Sequence, residues 1–193
     1  MKKLVLSAVA VFAFTFANAQ EGEGAGFSKG DVFISGSVGF DSTKQGDAKS
    51  NEFTFSPAAG YFLTENIAAG VRLNIVSGEE TTETTYSEFG ADVFGRYYFT
   101  PASKFSVFGE LAVGFGNEKR ETVTNIETKY TSFGVNAGVG VNYFLSDNFA
   151  IEAGWAGLGY NSRKLDADGA DAQNSFGLAV DMSSINLGLV YKF

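Results

Sequence analysis

The sequence predicts an all-β chain: eight antiparallel strands closed into an up-and-down transmembrane β-barrel. Three observations carry that prediction. Apolar and small polar residues alternate with period 2 along nearly all of the chain after residue 30, the pattern of strands with one apolar face. The connections between these segments are long and short in strict turn. The mean hydropathy is only +0.01, which suits strands whose two faces average out but not a chain of spanning helices.

Taken in order, Met1-Lys2-Lys3, the uncharged apolar run 4–16 and Ala17-Asn18-Ala19 before Gln20 have the three parts of a secretory signal peptide, residues 1–19. The glycine-rich, acidic residues 20–30 read as a flexible lead-in. The barrel then occupies 31–193. Its first strand, 31–40, carries Val32, Ile34, Val38 and Phe40 on one face. The second, 52–63, carries Phe53, Phe55, Ala59, Tyr61 and Leu63, with Pro57 predicting a local irregularity because it cannot donate to the ladder. Strands follow at 67–75, 86–99, 105–115, 130–144 and 149–160, all with odd-numbered apolar faces. The eighth ends in Ile185, Leu187, Leu189, Tyr191 and Phe193. Between 176–182 and Ile185 onward the apolar parity changes, so a bulge is expected near Ser183-Ser184.

Short connections fall at Thr64-Glu65-Asn66, 100–104 and Ser146-Asp147-Asn148. The other four, 41–51, 77–85, 116–129 and 161–174, are long, polar and read as loops. Eight strands leave about 22 residues each for strand plus connection, and a spanning strand uses ~9–11 of them. Export through the signal peptide delivers the N-terminus to the periplasm. The short turns and both termini are therefore expected on that side, and the four loops outside. Tyr61-Phe62-Leu63-Thr64-Glu65-Asn66 recurs as Tyr143-Phe144-Leu145-Ser146-Asp147-Asn148, placing aromatics at one membrane interface. Phe40, Phe53, Phe89, Phe115, Phe133 and Trp155 are expected at the other.

The second face is mostly Gly, Ala, Ser and Asn, which suits a crowded interior better than a water-exposed surface. Its charges, Arg72, Glu88, Asp92, Arg96, Glu110, Glu152 and Lys192, come in both signs and are expected to pair in the lumen. Phe62, Phe94, Phe108, Phe144, Leu158 and Tyr160 are expected to help fill it.

The chain of 193 residues has no histidine and no cysteine. The commonest general base, the commonest metal ligand and thiolate chemistry are therefore missing. A net charge of −8 argues against a nucleic-acid partner. Asp166-Ala-Asp168-Gly169-Ala-Asp171 has glycine fourth, where a calcium loop needs it sixth, so it reads as a solvated acidic segment. No enzyme activity, metal or cofactor is expected.

At its end the chain reads Asn186-x-Gly188-x-x-Tyr191-x-Phe193. With the alternation and turn pattern, this resembles the small eight-stranded outer-membrane β-barrel family, OmpA/OmpX-like, of diderm bacteria. The resemblance implies that outer-membrane lipid surrounds the barrel and that the barrel-assembly machinery reads Asn186, Gly188, Tyr191 and Phe193. The expected function is a monomeric, non-enzymatic barrel serving membrane integrity or surface interaction, with an unnamed extracellular ligand at the loops. The alternative is a narrow, porin-like channel for small solutes or ions.

Overall fold

The computed structural model describes residues 24–45, 48–80, 84–122, 124, 126–167, 169–178 and 186–193. Among the described residues nine strands form one sheet: β1 (Val32–Gln45), β2 (Ala48–Phe62), β3 (Ile67–Glu80), β4 (Thr84–Tyr98), β5 (Phe105–Glu121), β6 (Glu127–Phe144), β7 (Phe149–Leu165), β8 (Ala172–Leu178) and β9 (Asn186–Lys192). Consecutive strands pair antiparallel from β1 to β7. β8 and β9 both lie along β7 and together make the eighth stave, while β9 also pairs with β1 and closes the ring. A closed ring is the only β arrangement a bilayer tolerates.

Alternation along each strand sets the two faces. Outward stand Val38, Val71, Val93, Leu111 and Val139, all exposed on the isolated chain because lipid is their solvent. Exposed Phe53 on β2 and Leu63 just past its end bound this face. Ten residues of strand span ~34 Å, and a tilt of ~40° reduces that to about 26 Å, close to the ~25 Å apolar band of such barrels. At one rim Phe40 pairs across from Phe53 and Phe115 from Phe133. At the other, Tyr61, Tyr97, Phe99, Phe105 and Tyr143 are exposed. Each repeated Tyr-Phe or Tyr-Tyr pair thus splits between faces: Phe62, Tyr98 and Phe144 turn inward and are fully buried.

The repeat also builds the same turn twice. The Leu63 amide donates to the Ile67 carbonyl at 2.8 Å, and the Leu145 amide to the Phe149 carbonyl at 2.7 Å. The hydroxyls of Thr64 and Ser146 accept from the amides of Ile67 and Phe149.

Three expectations are corrected. The segments read as long polar loops are mostly ladder. Pairing continues to Gln45↔Ala48, Glu80↔Thr84, Glu121↔Glu127 and Lys164↔Ala172. Above the membrane both faces of a strand are wet, so polar residues occupy both parities and the period-2 signal disappears while the hydrogen bonds persist. Lys119 is accordingly a strand residue, 2.6 Å from Glu127. Hydrogen bonds from Lys119 and Lys129 hold the Glu127 carboxyl below the usual carboxylate range.

The second correction concerns Leu158 and Tyr160, which face outward rather than into the lumen. The β6–β7 register shifts so that Ala137 faces Leu158 and Gly138 faces Ala156. Gly157 is the extra residue, and a slip of one residue reverses every side chain beyond it.

Pro57 produces the local irregularity expected of it, as a lapse in the ladder. It pairs with Gly36 on β1, while the β2–β3 ladder skips from Phe55↔Ile75 to Ala58↔Arg72 without changing register. The bulge expected near Ser183-Ser184 and the cleavage residues Ala17, Ala19 and Gln20 lie outside the described residues. On either side of the former, Leu178 faces Leu158 and Asn186 faces Gly154.

The third correction is the lead-in. Residues 24–30 fold beneath the short-turn end of the barrel, and Phe27 is buried there to 1% exposure.

Candidate functional site: the filled lumen

The lumen is built in tiers. At the short-turn end an aromatic tier gathers around Phe27. Its ring lies 4.6 Å from Phe62, 4.9 Å from Phe144, 5.2 Å from Tyr98 and 5.7 Å from Phe33 between centroids. Four inward rings are seated over glycines directly opposite on the neighbouring strand: Phe33 over Gly60, Phe94 over Gly70, Tyr86 over Gly78 and Phe108 over Gly140. In each case a Cβ on the glycine would intrude on the ring. Glycine in these strands therefore makes room for aromatic rings to lie flat on the wall.

Next to this tier, Arg96 on β4 is 2% exposed at its side chain. Its Nε donates to Glu110 on β5 at 2.7 Å, and its two terminal nitrogens reach Glu152 on β7 at 2.6 and 2.9 Å. Tyr98 Oη accepts from the same guanidinium at 3.2 Å. Asn142 Nδ2 donates to Glu152 at 3.1 Å. Glu110 is shared, since Arg72 on β3 donates to both its oxygens at 2.8 and 2.7 Å. Arg72 also stands 3.8 Å from Asp92, which accepts a 2.7 Å bond from Asn74. The guanidinium carbons of Arg72 and Arg96 each sit 5.0 Å from the Phe94 ring centroid, and that of Arg96 is 4.2 Å from Phe108. Arg72, Asp92, Arg96, Glu110 and Glu152 are thus one connected network crossing the lumen.

Two residues of the anticipated set stand elsewhere. Glu88 lies further toward the hairpins, opposite Glu118 on β5. There Glu118 accepts from Arg163 at 3.0 and 2.9 Å and pairs with Arg120, which reaches Glu80 at 3.1 Å. Tyr86 donates to Glu52 at 2.6 Å in the same tier. Lys192 lies at the opposite end. Its Nζ donates to the Gly26 carbonyl at 2.6 Å and to that of Gly24 at 3.4 Å, with Asp31 at 3.8 Å.

Sequence reading missed Phe27, Tyr98 and Asn142 as lumen residues. The inward parity of Tyr98 and Asn142 was legible, but their partners lie on strands far apart in sequence. Phe27 gave one signal, a lone aromatic among glycines.

In the C-terminal motif, Gly188 faces Ser37 and Glu152, and a Cβ there would lie 3.0 Å from the Gly36 carbonyl oxygen. Tyr191 pairs with Ile34 and Phe149. The Phe193 amide donates to Val32 at 2.9 Å. Asn186 pairs with Gly154.

A closed antiparallel ring with an apolar exterior, two aromatic rims and a charged, packed interior defines the class: an eight-stave transmembrane β-barrel. The family model for the outer membrane protein beta-barrel domain matches residues 6–193, and the chain belongs to that family of outer-membrane proteins. A 22 kDa outer membrane protein of Rhizobium leguminosarum bv. viciae is 28% identical over 158 residues, 77% of this chain and 72% of the relative. Among solved structures, the fold resembles OprG from Pseudomonas aeruginosa, with TM-score 0.58, 15% identity, 87% of this chain and 98% of that one covered. It also resembles Neisserial surface protein A (TM-score 0.57, 14% identity, 86% and 100% covered).

Proposed function

We propose that this is a non-enzymatic, non-conducting outer-membrane barrel whose packed lumen makes it a rigid support for four projecting hairpins. On this reading the short turns and both termini face the periplasm, and the hairpins present the surface on which integrity contacts or an extracellular ligand act. The observation that carries it is the Arg96 bridge, which joins β4 to β7 across the lumen with a guanidinium almost fully removed from solvent. An eight-stranded barrel is just wide enough for side chains to fill. Planar-bilayer recording of the detergent-folded protein tests this directly: baseline current is expected, and steady, large steps favour the narrow channel instead. The same material is expected to shift in mobility on an SDS gel when boiled, since the closed ladder resists detergent without heat. Identical mobility before and after boiling counts against a closed barrel.

For the last strand, the reading is an assembly signal recognised by the barrel-assembly machinery. Deleting Phe193 is expected to reduce folded protein in outer-membrane fractions several-fold while leaving export intact. Equal folded amounts of mutant and wild type refute that role.

A further inference from the structure

We propose that Gly24–Gly30 is an intramolecular stopper that closes the periplasmic mouth and is latched by Lys192, leaving the lumen a cup open only toward the hairpins. The sidedness rests on the functional reading above; the closure rests on geometry. Three independent sets of contacts hold the segment. The Phe27 ring fills a socket of Phe33, Phe62, Tyr98 and Phe144, contributed by β1, β2, β4 and β6. The backbone is tied to one strand end and two turns: Gly30 N to Phe62 O at 3.0 Å, Phe27 N to Pro101 O at 2.7 Å and Lys29 N to Glu65 Oε2 at 3.3 Å. The buried Lys192 ammonium is satisfied chiefly by the carbonyls of Gly26 and Gly24. A buried ammonium needs such acceptors, and without the segment it would keep only the more distant Asp31 of the partners named here.

The glycines fit this role. Gly26 has φ +114, and a Cβ on it would lie 2.6 Å from the Ala102 carbonyl carbon and 2.7 Å from Pro101 O. Only glycine lets the chain turn there at that closeness. The latch sits on β9, the strand that closes the ring against β1. The stopper is therefore fully held only once the barrel is shut.

Limited trypsin digestion and bilayer recording test this on the full mature chain, folded in detergent and selected by its heat-shifted gel mobility. Wild type is expected to resist cleavage after Lys29, an exposed residue of the segment, with cleavage after Lys44 in a hairpin as reference. Phe27→Ala, Lys192→Gln and Gly26→Ala, the last with every ring intact, are expected to raise cleavage after Lys29 at least tenfold relative to Lys44. Because the Arg96 bridge also crosses the lumen, conductance steps absent from wild type are expected only when Phe27→Ala and Arg96→Ala are combined. If all three variants keep wild-type protection at Lys29, or if the combined variant conducts no more than Arg96→Ala alone, the stopper is overturned with the sealed lumen intact. Steady conductance in wild type refutes the sealed lumen itself.

Discussion

Arg96→Ala is expected to destabilise the barrel more than any other charge removal in it, by about 3–5 kcal/mol, the usual cost of stripping one partner from a buried ion pair. The guanidinium neutralises Glu152 and shares Glu110 with Arg72. Its loss leaves Glu152 with the Asn142 amide and no cation, and leaves Glu110 with Arg72 alone. It also empties the space between Phe94 and Phe108. Arg96→Lys keeps the charge but not the fork that serves two carboxylates at once, so it should recover only part of the loss. Lys119→Ala, on an exposed hairpin pair with Glu127, should melt like wild type, because surface pairs contribute little. For a chain of this size the gap between the two variants corresponds to roughly 10 °C in melting temperature. Paired thermal melts in one detergent measure it, and coincident curves would refute the network as a source of stability.

Gly70→Ala is the second large effect, about 3 kcal/mol, at the upper end of overpacking costs. A Cβ at Gly70 would meet the Ala59 carbonyl oxygen and the Phe94 ring, and would lie 2.9 Å from the Gly60 Cα. Two of these three neighbours are backbone in a closed ladder, so the collision cannot be relieved by a rotamer change. Displacing Phe94 would in turn disturb both arginines that lie against it. Gly39→Ala is the control: it faces Thr54 on β2, and its added methyl would find only the Thr54 side chain, at an ordinary 3.5 Å. Denaturant titration of both variants decides the point. Equal midpoints would mean that the wall around Gly70 yields more easily than a closed sheet should.

Much of this molecule is readable one strand at a time. Period 2 places Arg72, Arg96 and Glu110 on the same side as Phe62 and Phe94, because neighbouring side chains on a strand point to opposite faces whatever the strand pairs with. The turn repeat is equally local: Thr64 and Ser146 accept from amides three residues on. Periodicity weakens where its cause is absent. Beyond the membrane no solvent difference separates the two faces, so the ladder from Ser77 to Glu80 looks like loop.

By itself, then, the sequence determined the barrel class, its eight staves, the inward face of the regular segments before Gly157 and the signs of the lumen charges. Only the tertiary structure decided which charges meet. Arg96 finds Glu152 because closure of the ring brings β4 and β7 within reach across the interior, whereas Glu88, with the same parity, is set by register one tier away beside Glu118. Structure also decided the outward turn of Leu158 and Tyr160, through one extra residue at Gly157, and the burial of Phe27. The physical reason is common to all of these. Alternation reports the two faces of a single strand, while lumen contacts depend on stagger between strands, on closure of the ring and on chain ends that return to it, and none of these leaves a local period to read.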